Sequence, residues 1–362
     1  MENNRCLFFL EKLDWINVLT LRKKLILTPV SNSNEIKEFL SIEELMGKLK
    51  TAKVNPLYFT EEEYILAKNF FRFTNYYSFS IYRKQLTPYK NELSPTNYTF
   101  TDCLSLYDFD AYLRERLNHF AGIAECVMKA TFVTSTCEYY KGDLEKAEFY
   151  LDKSLYNSKE SYELTMEILN KVAKENKSLI FEHHRNEKGN KFPFWVLIEE
   201  LTFGEATKVI SSFKKEVINN WITTSFIESK EDRIKVYDDN IRSSMFGWFQ
   251  AAWHIRNVCA HYSRIYGSLF KVANPSISAA DKSLLKKNKQ NKLITNKQLF
   301  AYLLSLKNVF SFHLIEVQTE WNTFIEELRN KVDTGICIEP NKLGFIPNWD
   351  LYLTIDLSED KF

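Results

Sequence analysis

The sequence predicts a mainly helical, all-α protein, and three observations carry that reading. Glycine and proline are few, 9 and 8 in 362 residues, which disfavours a sandwich of many short strands joined by tight turns. Apolar residues recur at steps of three and four over long stretches, the period of a helix with one buried face. Ser or Thr followed three residues later by Glu occurs at Ser41/Glu44, Thr60/Glu63 and Thr202/Glu205; in that pattern hydroxyl and carboxylate cap the first amides of a helix reciprocally.

In chain order, Leu7 to Leu10 is an apolar run cut off by Glu11 and Lys12, too short for a signal-peptide core or a membrane span. No run of about 18 apolar residues follows, so a soluble protein without membrane partners is expected. After Thr60, the residues Tyr64-Ile65-Leu66, Phe70-Phe71, Phe73, Tyr76-Tyr77 and Phe79 keep helical spacing and predict one buried, aromatic-rich helix. From about Asp102 to Tyr140, Leu106, Phe109, Leu113, Leu117, Phe120 and Ile123 form one stripe, which Lys141-Gly142 breaks. An amphipathic stretch follows from about Leu144 to Lys174, and the polar segment from Phe181 to Lys191, with His183-His184 and Gly189, reads as a loop. Pro193 suits the first turn of a helix carrying Trp195 and Glu199. A further helix is expected from about Asn240 through Arg264. Asn274-Pro275-Ser276 and the lysines Lys282, Lys286, Lys287, Lys289 and Lys292 read as a connection, a single helix follows near Gln298 to Arg329, and the tail around Gly344 to Trp349 reads as short and extended. The expected organisation is a helical N-terminal region over 1–100, a helical core over 101–335 and a C-terminal tail over 336–362.

A hydrophobic content of 45% allows a sizeable core. The formal charge of +1 supplies no global field for nucleic acid, so any RNA contact must come from a local groove or loop. Aromatic residues make up 15%, including 28 Phe and 19 Tyr, and serve helix packing or base stacking. Cys6, Cys103, Cys126, Cys137, Cys259 and Cys337 form no C-x-x-C pair, which argues against a disulfide framework or zinc knuckle and for a reducing cytoplasm.

The segment from Trp253 to Arg264 contains R-N-x-x-x-H as Arg256, Asn257 and His261. At about 100° per residue Asn257 and His261 share a helix face one turn apart, His254 lies two turns below His261, and Arg256 is displaced by about 140° but long enough to bend toward the same groove. RNA cleavage without a metal needs a base for the ribose 2′-hydroxyl, an acid for the leaving oxygen and fixed positive charge for the phosphorane-like transition state. His can be acid or base near neutral pH, and Arg offers a planar fork to phosphate oxygens. Asn257 would orient His261 or bind phosphate. One His does not readily make both proton transfers, so a homodimer with two facing copies of the motif is expected. The plainer reading stays open, since Arg114 and His119 repeat the spacing without the Asn, and helical Arg and His commonly make ordinary surface or core contacts.

Other residues carry two readings each. Arg264, expected two turns beyond Asn257, would contact RNA phosphate or form a salt bridge at the helix end. Lys286, Lys287 and Lys289 would form an electrostatic arm for RNA or a solvated loop. Glu199 would orient Arg256 or His261, or make a structural ion pair. His183-His184 lack a third ligand at a recognisable spacing, so no metal and no cofactor is expected.

Through most of its length the chain resembles the abortive-infection (Abi) phage-resistance proteins of the AbiD/AbiF type. The blocks that carry the resemblance are the aromatic helix Phe70 to Tyr82; Phe109-Asp110-x-x-Leu113-Arg114 followed by Glu125; Pro193-x-Trp195-x-x-x-Glu199-x-x-Thr202-Phe203-Gly204; and Arg256-Asn257-x-Cys259-Ala260-His261-x-Ser263-Arg264. The resemblance implies a HEPN-like helical bundle core, a cytoplasmic role in defence against phage, and toxin-like ribonuclease action with Arg256, Asn257 and His261 in the catalytic positions. It also implies a small structured RNA as a regulatory partner and a phage-derived trigger. Lys129 stands where relatives tend to have Arg, keeping the charge but losing the bidentate fork, and no catalytic role is assigned to it. Two other functions compete: a non-catalytic RNA-binding module that grips RNA with the same residues, and an interaction protein that senses phage and acts through another effector.

Overall fold

Helix starts follow the capping residues. The computed structural model describes residues 38–86, 98–227, 238–270, 279–285 and 297–357. Helix α1 (Ile42–Lys50) opens on the Ser41/Glu44 box, the short strand β1 (Leu57–Tyr58) follows, and α2 (Glu61–Phe73) opens on the Thr60/Glu63 box. The aromatic stretch is two helices rather than one. Asn75 accepts a bond from the Tyr77 amide at 2.8 Å and starts α3 (Tyr76–Arg83), so a side-chain cap interrupts a pattern that contains no Gly or Pro. Only one face is buried: Phe71 and Phe79 are in the core, while Phe73 is 92% exposed.

Strand β2 (Tyr98–Thr99) pairs in parallel with β1, Leu57 opposite Tyr98. It leads into the 40-residue α4 (Phe100–Tyr139), capped by a Thr99/Asp102 box that a search for Glu at the third position passes over. At about 1.5 Å per residue α4 is about 60 Å long and forms the spine of the fold. Of the predicted stripe, Leu106, Phe109, Leu113, Leu117 and Phe120 are buried along it and Ile123 is half-buried, and Ala121, Ala124, Met128 and Phe132 continue the burial toward its end.

Two 3₁₀ turns (Lys146–Leu151 and Lys153–Leu155) precede α5 (Lys159–Glu175). The segment expected as a loop is instead α6 (Leu179–Glu187). Its polar residues form the outer surface of a helix whose inner face is Phe181, packed against Phe192 at 5.2 Å. His183 faces Glu187 at 3.2 Å, and the His184 Nδ1 lies 2.8 Å from the Lys191 carbonyl. Helices α7 (Phe194–Glu199), α8 (Phe203–Ser212, opened by the Thr202/Glu205 box) and α9 (Lys215–Ile222) follow, the last continued by a π turn over Thr223–Ile227.

Helix α10 (Asp238–Ala260) lies between α4 and α12 (Leu299–Phe310), with the short α11 (Ala279–Lys282) between them in sequence. The helix expected from Gln298 to Arg329 is broken: the chain turns at Ser311 to Leu314 and continues as α13 (Ile315–Thr334). The tail is not extended throughout. It makes a 3₁₀ turn (Pro340–Leu343) and α14 (Trp349–Leu353), with Phe345 stacked on Trp349 at 4.0 Å. Helix α13 holds it through Trp321 Nε1 to the Leu353 carbonyl at 2.7 Å and through Asn322, which pairs both ways with the Ile355 backbone at 2.8 Å. No described helix is long and apolar enough to cross a membrane.

The core where α4, α12 and α13 meet is aromatic. Phe120 is fully buried, with Trp321, Phe324 and Phe310 rings at 5.0, 5.3 and 5.5 Å. Phe120→Ala is expected to lower stability by about 3–5 kcal/mol, read as a lower urea midpoint with an unchanged slope.

Candidate functional site

The R-N-x-x-x-H residues occupy the last turn of α10, and the packing of that helix decides what they can reach. Met245, Trp248, Ala252, Ile255 and Cys259 are buried at helical spacing and form its inward stripe. Asn257 and His261 share the face turned away from that stripe, as their spacing predicts, and Arg256 flanks it about 140° from His261. Arg256 and Asn257 are half-buried and His261 is exposed. Among the described residues, none of the three side chains has a hydrogen-bond or ion-pair partner.

The helix ends sooner than the sequence suggests. Its last bond runs from the His261 amide to the Asn257 carbonyl at 3.1 Å, after which the Tyr262 amide bonds Cys259 at 2.9 Å and the Ser263 amide bonds Val258 at 3.0 Å. This is a Schellman turn, with Tyr262 in the left-handed position at φ +50°. Arg264 therefore does not lie on the helix face of Asn257. It sits past the turn, half-buried, with Nη1 donating to the Tyr266 carbonyl at 2.7 Å. Among the described residues its partner is this carbonyl and not a carboxylate at the helix end. Lys286, Lys287 and Lys289 lie outside the described residues, while Lys282 is exposed at the end of α11 rather than in a loop.

What fixes the turn is Asp110, a residue quoted within a sequence block but given no role by sequence reasoning. It is fully buried in α4. Its Oδ1 accepts from the backbone amides of Ile265 at 3.0 Å and Tyr266 at 2.6 Å, and its Oδ2 accepts from the Tyr82 hydroxyl at 2.5 Å and from Arg114 Nη1. Burial pushes the Tyr82 hydroxyl well above its ordinary value, and the Asp110 charge adds to the shift. Arg114 thus neutralises Asp110, and His119 lies 2.9 Å from Glu320. Both members of the second R-x-x-x-x-H pair are engaged structurally.

The block containing Trp195 and Glu199 is joined to α4 by Lys129, whose Nζ donates to Glu125 Oε1 at 2.9 Å and to the carbonyls of Leu201 and Glu199 at 2.7 and 3.1 Å. A compact ammonium with three donors suits three separate acceptors. The Glu199 carboxylate is exposed and pairs with no described residue. Gly204 lies against α10: a Cβ there would stand 2.8 Å from Trp253 Nε1, so only glycine lets α8 and the motif helix approach this closely.

Two other side chains in the motif segment are chemically quiet. Burial pushes the Cys259 thiol up to about 12, leaving no thiolate for nucleophilic chemistry. His254 rests between the rings of Phe270 and Tyr302 at 5.8 and 5.6 Å, its Nε2 buried without a hydrogen-bond partner, and burial holds it below its ordinary value of 6.5. A cavity of about 200 Å³ lined by Thr136, Tyr140, Asp152 and Val217 is remote from the motif, about 39 Å along α4 from Asp110 at about 1.5 Å per residue.

A family model described as Abi-like protein matches residues 69–267, more than half of the chain. The match runs from α2 through Gly267, just past the amides that Asp110 holds. No curated protein and no solved structure matches the chain.

Asp110→Ala strands the Arg114 cation and two amides in the interior and is expected to lower stability by about 3–5 kcal/mol in urea unfolding. The Ile265 and Tyr266 amides should lose their hydrogen-exchange protection in the same variant. His254 gives a pH test. The unfolded chain takes up a proton at this residue near pH 6.5, the folded chain only below that, so its contribution to stability is complete above about pH 6.5 and is lost as the pH falls toward the folded value. His254→Phe, which fills the same place between Phe270 and Tyr302, should flatten the acid side of the stability profile.

Proposed function

The chain belongs to the Abi-like protein family, an abortive-infection family, and on that premise we propose that it defends against phage as a metal-independent, HEPN-type endoribonuclease acting through Arg256, Asn257 and His261. The observation that carries this reading is the contrast within α10. Arg114, Lys129 and Arg264 are paired and His254 is shielded, whereas these three have no partners among the described residues and lie on the side of the helix turned away from its buried stripe. Unpartnered groups on a rigid helix end are available to a ligand, and an open surface rather than a pocket suits a long polymer.

In the proposed reaction, His261 of one copy removes the proton of a ribose 2′-hydroxyl. The 2′-oxygen attacks phosphorus, the bond from phosphorus to the 5′-oxygen breaks, and the second copy's His261, protonated, gives its proton to that leaving oxygen. The products are a 2′,3′-cyclic phosphate and a 5′-hydroxyl. Arg256 stabilises the charge on the non-bridging oxygens with its fork of donors, and Asn257, one turn from His261, orients the imidazole or binds phosphate. A homodimer supplies both histidines, and a small structured RNA that occupies the same surface would restrain the enzyme until infection.

The test uses protein stripped of bound nucleic acid, a labelled RNA pool and EDTA throughout. The parent should cut to cyclic-phosphate ends, and His261→Ala should lower the rate by about 10²–10⁴-fold. Cutting that disappears in EDTA, or survives undiminished in His261→Ala, would overturn the mechanism. Retention of RNA without cutting by either protein would make binding, not cleavage, the function.

A further inference from the structure

We propose that Tyr262 is a base-stacking residue, its ring covering the nucleobase next to the phosphate held at Arg256, Asn257 and His261, so that the site takes RNA that is unpaired at that point. The inference rests on the reading of those three residues as an RNA site and adds a residue and a substrate class to it.

Three observations carry it. The first is conformation: Tyr262 stands at φ +50°, in the left-handed region where a Cβ is crowded and which glycine or asparagine enters with less strain. The turn needs a left-handed residue at this point, but its hydrogen bonds are made by backbone atoms alone, so the turn gives no reason for a tyrosine. The second is exposure: the side chain is 84% exposed and has no ring or hydrogen-bond partner among the described residues. Packing gives no reason for it either. Phe73 and Tyr77 are exposed too, but on ordinary helical backbone, where a scattered exposed ring needs no explanation. The third is position: Tyr262 directly follows His261, and three residues further on the chain is fixed by the Asp110 carboxylate on the amides of Ile265 and Tyr266. The ring is therefore offered from a rigid support at the edge of the motif.

A crowded side chain that neither the turn nor the core requires is retained at a left-handed position where it has a use. The use open to an exposed phenol ring beside a phosphate-binding histidine is to stack on a base, since every base has a π face. In a duplex those faces are already covered, so stacking selects single-stranded or looped RNA.

The experiment measures anisotropy of a labelled single-stranded oligoribonucleotide, 2′-O-methylated so that it is not cut, and of the same oligonucleotide with abasic sugars. Both are titrated into the parent, Tyr262→Phe and Tyr262→Gly in EDTA, and the melting temperature of each protein is recorded. The parent should prefer the base-bearing strand by about tenfold. Tyr262→Phe should keep that preference, and Tyr262→Gly should lose it while melting at the parent's temperature or above, because glycine relieves the strain. A Tyr262→Gly protein that keeps the preference, or that melts well below the parent, would overturn the proposal and leave the RNA site standing. A parent that retains neither oligonucleotide would overturn the RNA reading together with it.

Discussion

The Asp110 carboxylate is the constraint on which the end of the motif helix depends. A carboxylate removed from water costs several kcal/mol unless its oxygens are filled, and here four donors fill them: Ile265 N, Tyr266 N, the Tyr82 hydroxyl and Arg114. Those donors come from α3, from α4 itself and from the chain just beyond α10. One buried charge therefore sets the register of three elements. A slip of one residue in the segment after the Schellman turn would leave two amides and one carboxylate oxygen unpaired in the interior. The alternatives lie several kcal/mol higher, which keeps His261 and Tyr262 in one place.

The same logic sorts the rest of the sequence blocks. Lys129 ties α4 to the end of α7 by satisfying two carbonyls and Glu125, and Gly204 lets the Trp253 indole press against α8. Arg114, although it sits in a motif-like spacing, is consumed by Asp110. Most residues that make the chain resemble its family are thus scaffold, each with a nameable partner. Arg256, Asn257 and His261 have none among the described residues, and with the exposed Glu199 carboxylate they stand apart from that paired scaffold.

The helices were legible where chemistry marks their starts. The three capping boxes at Ser41, Thr60 and Thr202 all form, and the apolar stripe of α4 is buried as its period requires. The breaks were not legible, because they carry no Gly or Pro. Asn75 splits the aromatic stretch with a side-chain cap, the turn from Ser311 to Leu314 lies within a mostly apolar run, and α10 ends on a left-handed tyrosine. In α6 the opposite error arises, since a helix with one inward Phe has the composition of a loop. At the site, the shared face of Asn257 and His261 follows from helical geometry alone. The Asp110 tether does not, because it joins residues 155 apart in sequence, and the place of Arg264 does not, because the helix ends before it on a turn whose left-handed residue is a tyrosine.

Histidine chemistry along α10 is decided by what covers the helix rather than by its face. His254 and His261 are seven residues apart, two turns with a drift of only about 20°, so they point in nearly the same direction. His254 is closed in by Phe270 and Tyr302 and held neutral by burial. His261 lies beyond that cover and is exposed. The chain that supplies Phe270 is the continuation of the segment anchored on Asp110, so one tether both shields the first histidine and holds the turn that carries the second. A helix with two histidines at equivalent positions becomes one with a covered ring and an exposed one. The boundary between them is set where the Asp110-anchored segment turns back across α10.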